Sequence, residues 1–430
     1  MPETPKLELK YSPKLKAPMI LTFEDARHLV EEHARQVRPR GRELLSLLDA
    51  AGRILAEPIN ADRDFPPFPR ATRDGFAVRS ADVENIPTTL EVVGEVRAGA
   101  VAEISAIQTG QAVSIMTGAP VPTGADAVVM VEFTATIGNG VEVRKAVAVG
   151  ENIVPTGAEG KQGDEMLAPG MRMDFASLAL AAAAGRSRVL VNAKPRVAVL
   201  STGDEVVDID IPPAPNQIRN SNVYSLAAQV AAAGGEPILL PIAPDELKRL
   251  RELLREGLDS DLLLIAGGVS MGKYDLVEQV LAELNSEFFF TGARIQPGKP
   301  VVFGAVPQSA IAGRKEADRK YFVGLPGNPI STMVCFELFA RPLIEALAGM
   351  QPRKLAFVHA KLKTAIKTKL GLKRFLPASL SGEFEHSEVA LVPWQGSGDL
   401  SAVARANCYI VIPPDRERME AGEFVPVLLR

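Results

Sequence analysis

The apolar positions of the chain change period several times, and each change predicts a different kind of element. Leu29, Val30, Ala34 and Val37 keep a rough stripe behind Thr22, and Asp25 stands three residues after that threonine as an imperfect capping box. This predicts a helix opening at Thr22. Leu44, Leu45, Leu48, Ala51 and Leu55 share one helical face and predict a second helix over 42–56. From residue 60 to 150 the pattern becomes short alternating runs: Leu90 to Val96, Ala112 to Met116, Ala127 to Val131 and Val141 to Val147. Gly, Pro and Asn-Gly signals separate them, as in a small all-β domain. Residues 155–190 return to a Gly-rich turn and then an alanine-rich helix.

From 195 the pattern is β-α-β. Strands are expected at Arg196–Leu200, Pro237–Leu240 and Asp261–Ala266, and helices at Ser221–Ala233 and Asp245–Glu256. Gly234-Gly235 ends the first helix. The run 261–266 is almost wholly apolar, as in a strand buried on both faces. Two more short strands are expected at 301–304 and 321–324, then a long helix from Ile330 to Ala348. The sum is a doubly wound α/β domain. Residues 352–430 revert to short strands and turns. A β domain flanked by helical pieces predicts an insertion that leaves its host discontinuous. The expected partition is therefore 20–60 with 151–192 as a discontinuous linking domain, 61–150 as an inserted β domain, 193–349 as the α/β domain and 350–430 as a C-terminal β module.

Composition changes this picture little. The chain has 430 residues, 47% hydrophobic and 23% charged, with a net charge of −4. No bulk positive charge favours nucleic acid. The first residues lack an apolar signal core, and the small-apolar stretch Ala176 to Ala184 is too short to span a bilayer. Cys335 and Cys408 lie far apart in apolar runs, which suits core positions in a reducing compartment. A cytoplasmic protein without membrane partners is expected. His28 and His33 are five residues apart and do not share a face as metal ligands would.

Ligands of a doubly wound sheet bind beyond the C-terminal ends of its strands. Three loops belong there: Ser201-Thr202-Gly203-Asp204-Glu205, Gly267-Gly268-Val269-Ser270-Met271-Gly272, and Gly324-Leu325-Pro326-Gly327-Asn328-Pro329. Gly-rich turns that feed helices offer backbone N–H groups to oxyanions. Gly267 to Lys273 imitates the start of a Walker A loop, but Tyr274 replaces its metal-binding hydroxyl. Asp204, Asp275 and, less strongly, Asp245 are carboxylates suited to Mg²⁺ against a phosphate. Lys299, before Pro300 in a Pro-Gly-Lys-Pro turn, suits an oxyanion. The β insert offers Asp74 beside Gly75, and Thr117 in a rigid Thr-Gly-Ala-Pro loop. Trp394 to Gly398 is a polar Gly-rich loop carrying Ser397.

Taken together, the segments DRDFPPF, DGFAVR, MTGAPVP, STGDE, AGGVSMGKYD, PGKP, GLPGNP and QGSGD resemble, in order and rough spacing, the MoeA family of molybdopterin molybdenumtransferases. The resemblance runs from about residue 20 to 430. It implies a homodimer of four-domain subunits whose last domain is a β barrel and whose α/β domain is adenylyltransferase-like. It implies insertion of molybdate into adenylylated molybdopterin, with Mg²⁺ and release of AMP. Other molybdenum-cofactor biosynthesis proteins are implied as further partners. Asp74, Thr117, Asp204, Asp275 and Lys299 would be catalytic, with Asp204 and Asp275 on the metal. Ser201, Thr202, Gly203, Gly267, Gly268, Ser270, Gly272, Pro300, Gly327, Asn328, Ser331 and Ser397 would bind substrate. Asp74 and Thr117 would reach in from the partner subunit.

The chain also departs from the family pattern. Ala158 stands where an acidic turn is usual, Arg73 replaces a common Met, and Gln296 stands where many relatives carry Lys. An Arg-x-x-Phe-x-Arg pattern appears as Leu372-Lys373-Arg374-Phe375-Leu376-Pro377. These departures motivate a second reading, a catalytically weakened paralogue acting as cofactor carrier or scaffold. An amide in place of an ammonium at residue 296 is expected to cost on the order of 1 kcal/mol in oxyanion binding. On that expectation Gln296→Lys would tighten molybdate binding.

Overall fold

Arg196–Ser201 and Leu262–Ala266 are strands whose residues alternate between two cores. Val197, Val199, Leu262 and Leu264 face one cluster, and Ala198, Leu200, Leu263 and Ile265 face the other. That two-sided burial is why both strands read as continuous apolar runs. They sit in a six-stranded sheet ordered Glu236–Leu239, Arg196–Ser201, Leu262–Ala266, Arg319–Leu325, Val302–Pro307, Glu287–Phe290. The first four strands are parallel; Val302–Pro307 runs antiparallel to both its neighbours, so Glu287–Phe290 again points with the first four. This computed structural model describes residues 19–99, 106–268, 276–307, 319–350, 354–383 and 385–430.

The chain divides into two units, one holding Gly52–Ile54 and Val191–Arg430 with the N-terminal stretch to Glu43, the other Leu44–Ala51 and Leu55–Leu190. In the first unit, helix Phe23–Ala34 is capped as its sequence predicts, with the Asp25 N–H donating to Thr22 Oγ1. Helices Ser221–Ala233 and Leu247–Leu258 cover opposite faces of the sheet. The expected helix from Ile330 runs as Pro329–Cys335, a π-helical turn at Phe336–Ala340 and Arg341–Leu347. Lys373–Ser381, Glu388–Leu391, Phe357–Leu362, Phe424–Leu429 and Cys408–Ile412 close into a five-stranded barrel through the pairing of the first with the last. Ile295–Gln296 of the α/β part adds alongside, parallel to Lys373 and Arg374. The chain leaves this unit after Ile54 and re-enters at Val191, where the Asn192 N–H donates to the Ile54 carbonyl at 2.8 Å.

The second unit is built on a six-stranded sheet ordered Ala127–Met130, Gly75–Val78, Gln111–Ile115, Thr88–Val96, Gly140–Val143, Thr134–Ile137. The helix expected over 42–56 does not form. Arg42–Ser46 is a strand, and a turn follows in which Ser46 Oγ donates to the Asp49 carboxylate at 2.6 Å. Such local side-chain bonds compete with the helical ladder, and Gly52 takes φ +74°. The apolar spacing that suggested a helix leaves Leu44 and Leu48 on the surface, 50% and 84% exposed. Among the described residues no helix is long and apolar enough to cross a membrane.

Candidate functional site

At the C-terminal ends of the parallel strands the three expected loops meet. The Thr202 N–H donates to the Ala266 carbonyl at 3.1 Å, and the Gly267 N–H to the Leu325 carbonyl at 3.0 Å. Gly267 takes φ +92° and a Cβ there would lie 3.0 Å from the Thr202 carbonyl oxygen; one on Gly327 would lie 3.7 Å from the Gly267 Cα. A side chain is crowded and the backbone left-handed at Gly267, which favours glycine there, while the approach at Gly327 is an ordinary contact. Asn222, at the start of helix Ser221–Ala233, donates to the Gly327 carbonyl at 2.7 Å. Gly268, Gly327 and Asn328 are exposed, as ligand-facing groups must be. Ser201, Thr202 and Ser331 are buried instead. The Ser201 hydroxyl donates to Asn220 Oδ1 at 3.0 Å and so ties the strand end to the helix start.

The acidic side of this surface is Asp204, Glu205 and Asp245. Asp204 Oδ1 accepts the Asp245 N–H at 3.0 Å. Partial burial, then the Asp204 and Glu205 charges, push the Asp245 carboxyl above its usual range. Asp245 does not cap the following helix, whose N-cap is Glu246. No ion pair neutralises these three carboxylates among the described residues. Those residues also hold no set of three or more His, Cys, Asp or Glu side chains arranged around a metal. One or two open carboxylates suit Mg²⁺, which keeps water and takes substrate phosphate oxygens for the rest of its shell. Ser270, Gly272 and Asp275 lie outside the described residues.

The Gln296–Pro300 turn packs on helix Pro329–Cys335. Its Gln296–Pro297 peptide is cis, and Gly298 takes φ +104°. A Cβ on Gly298 would sit 2.3 Å from Cys335 Sγ, so only glycine lets the turn close on the helix. The Ala293 N–H donates to the Lys299 carbonyl at 3.0 Å, which folds the turn back and leaves the Lys299 side chain exposed. Ser397 joins the same helix start through its carbonyl, which accepts the Ile330 N–H at 3.0 Å. Beside the turn, Arg374 Nε donates to Gln296 Oε1 at 2.9 Å. The neighbouring Lys373 pairs with Glu24 and lies 4.8 Å over the Phe23 ring.

In the second unit, Asp74 ends the loop before strand Gly75–Val78. A Cβ at residue 75 would lie 1.9 Å from the Val129 carbonyl oxygen, so glycine is what allows this strand into its place. The Thr117 loop is strapped to the 69–71 segment by Gly118 N–H to Ala71, Ala71 N–H to Ala119 and Val121 N–H to Pro69, at 2.8–3.0 Å. Both the Thr117 N–H and its hydroxyl then donate to Asp74 Oδ1, at 2.7 and 2.8 Å. The backbone bond first, and the hydroxyl second, hold the Asp74 carboxyl below its usual range. Glu159, beside Ala158, pairs with Arg70 at 2.5 Å.

Known proteins place this architecture. A molybdopterin molybdenumtransferase of a Nostoc species is 35% identical over 395 residues, 90% of this chain and 88% of its own length. One from Bacillus subtilis is 33% identical over 398 residues, 90% of this chain and 89% of its own. This chain belongs to the MoeA family. Residues 21–185 match the MoeA N-terminal region (domain I and II), 198–346 a probable molybdopterin binding domain, and 359–429 the MoeA C-terminal region (domain IV). Like these relatives, this MoeA protein is a transferase. Crystal structures of a molybdopterin biosynthesis MoeA protein from Pyrococcus horikoshii share its fold. One has a TM-score of 0.74 at 29% identity, covering 96% of this chain and 100% of that one; the other has 0.67 at 31%, covering 95% and 99%.

Sequence reasoning missed two residues in this MoeA chain. Asn220 and Asn222 fix the first and third loops from one helix start. An Asn-Ser-Asn run at a helix N-terminus was the available signal, since asparagine there bonds backbone groups rather than continuing a strand.

Proposed function

We propose that this MoeA protein is a molybdopterin molybdenumtransferase of molybdenum-cofactor biosynthesis. It inserts molybdate into adenylylated molybdopterin, with Mg²⁺ and release of AMP. The observation that carries the reading is the convergence of the 201–205, 267–268 and 324–328 loops at one end of the sheet, with Gly268, Gly327 and Asn328 exposed and Asp204 beside them. A phosphoanhydride cleaved there develops negative charge on its oxygens, and preorganised N–H donors stabilise it. Gly268, Gly327 and Asn328 would hold the adenylate phosphate and Asn222 the loop geometry. Asp204, with Asp275, would hold Mg²⁺, which when bound supplies Lewis-acid stabilisation of the leaving phosphate. Lys299 and Ser397 would receive the molybdate oxygens. Asp74, fixed as a carboxylate by Thr117, would act from a partner subunit in a homodimer. The linking (20–60, 151–192), inserted (61–150), α/β (193–349) and barrel (350–430) domains would supply these parts.

The test is a reconstituted reaction: adenylylated molybdopterin, molybdate and Mg²⁺, with AMP release and pterin-bound metal both measured. Asp204→Asn retains the acceptor for the Asp245 N–H, so the loop should persist. AMP release should fall by at least a hundredfold, since the loss of a metal carboxylate removes on the order of 3 kcal/mol from the transition state. Mg²⁺-dependent turnover at the normal rate in Asp204→Asn would remove this assignment. Wild-type protein that retains the adenylate and never releases AMP would instead favour the carrier reading.

A further inference from the structure

The departures around the Pro-Gly-Lys-Pro turn look, in sequence, like lost positive charge. The structure accounts for the charge differently. Arg374 is only 6% exposed, yet all its hydrogen bonds go to neutral groups: Nε to Gln296 Oε1 and Nη1 to the Leu372 carbonyl, each at 2.9 Å. No carboxylate pairs with it among the described residues, and burial alone draws its guanidinium below the usual arginine range. Lys373, by contrast, is spent on Glu24. A guanidinium taken from water without a counter-charge is costly, and such a charge is retained where an anion completes it. The strand register explains how it arrives here: Gln296 is the Cα partner of Arg374 in the parallel pairing of 295–296 with 373–374. With its oxygen turned to Arg374, the Gln296 amide has its two N–H donors left for something else, in the same turn as the exposed Lys299.

We infer that Arg374 carries the charge of the oxyanion subsite at this turn, and that Gln296 is the neutral donor it orients. Arg374, Gln296 Nε2 and Lys299 together would take a small tetrahedral dianion of the molybdate class. The inference rests on the reading of this turn as an oxyanion site. It reverses the expectation drawn from sequence for residue 296. A lysine there would meet a guanidinium where the amide oxygen now accepts, and like charges at that distance repel.

The experiment is calorimetric titration of molybdate into the purified protein at two ionic strengths, with thermal melting to check folding. Arg374→Gln should weaken binding by about tenfold or more, the ratio expected between charged and neutral hydrogen-bond donors. Gln296→Lys alone should give no tightening. The double variant Gln296→Lys/Arg374→Gln, which moves the charge from one strand to the other, should recover affinity relative to Arg374→Gln, and added salt should erode the recovery. Unchanged binding in Arg374→Gln, or a tenfold gain in Gln296→Lys alone, would overturn the inference. If Arg374→Gln fails to fold, the folded double variant decides: binding no tighter than in Lys299→Ala overturns it. Lys299→Ala separates the two levels. If it too leaves molybdate binding untouched, the turn is not an oxyanion site and the reading beneath fails; if it weakens binding while Arg374→Gln does not, only the role of Arg374 fails.

Discussion

Asp74 owes its acidity to one neighbour. The Thr117 N–H and hydroxyl converge on a single carboxylate oxygen, which leaves the other oxygen without a partner among the described residues. Both bonds favour the ionised form. Thr117→Val keeps the N–H bond and removes the hydroxyl, so the Asp74 pKa should rise part of the way back towards its ordinary value. If the carboxylate is the working form, the acid limb of the pH–rate profile should move to higher pH in Thr117→Val, with the rate above neutrality less affected. A limb that stays in place would mean that another group sets it. Asp74, Gly75 and Thr117 stood out in sequence as a carboxylate beside a glycine and a hydroxyl in a rigid loop. Their pairing did not, because residues 74 and 117 meet only through the strapping of one loop on another. The bond between Arg374 and Gln296 was not legible for a related reason: it is set by register between two strands about eighty residues apart, which no local pattern encodes.

Among the elements, helix Phe23–Ala34 shows what a capping signal and a stripe can specify and what they leave open. Its start was legible to the residue. Its C-terminal docking was not, since that depends on His33, which stacks on Phe289 at 3.9 Å between centroids and meets the edges of Phe303 and Tyr321. Phe289 lies in Glu287–Phe290, a strand that the sequence reading did not place. The His33 Nδ1 is also 3.2 Å from the Tyr321 hydroxyl. Burial first, and the Arg319 charge second, lower the His33 pKa below 6.5, while Glu287 and Glu32 oppose them. The unfolded chain therefore binds a proton below about pH 6.5 that the folded one resists, so stability present at pH 7 should be lost as pH falls through that value. His33→Phe keeps the ring and removes the titration. Urea unfolding between pH 7.5 and 5 should show a shallower loss of stability in His33→Phe than in wild type; equal slopes would place the titration elsewhere. The missed strand and the false helix over 42–56 have one cause. Short apolar runs fit either period, and what decides between them is whether a partner exists to bury them.

At the scale of the molecule, the proposed shared cleft makes a quantitative demand. Asp74→Ala and Asp204→Asn each disable a different half. In an equal mixture of refolded or co-expressed chains, half the dimers are mixed and each mixed dimer has one intact cleft. Activity should therefore return to about a quarter of wild type. Mixed dimers that form and remain inactive would mean that each subunit uses its own Asp74. The α/β sheet and the β sheet of the second unit were legible because their strands are buried enough to leave continuous or alternating runs. The antiparallel placement of Val302–Pro307 was not, because strand direction leaves no mark on composition.

The hydrogen bond from Asn192 to Ile54 closes the door through which the chain leaves and returns. Leu55 to Leu190 is thus a long excursion that begins and ends at one spot. A segment whose ends are held together in this way can be lengthened or shortened without rethreading the host fold and at little entropic cost to it. The parts of the molecule on either side of that junction are therefore free to change independently, and their coupling in one polypeptide keeps them at equal dosage.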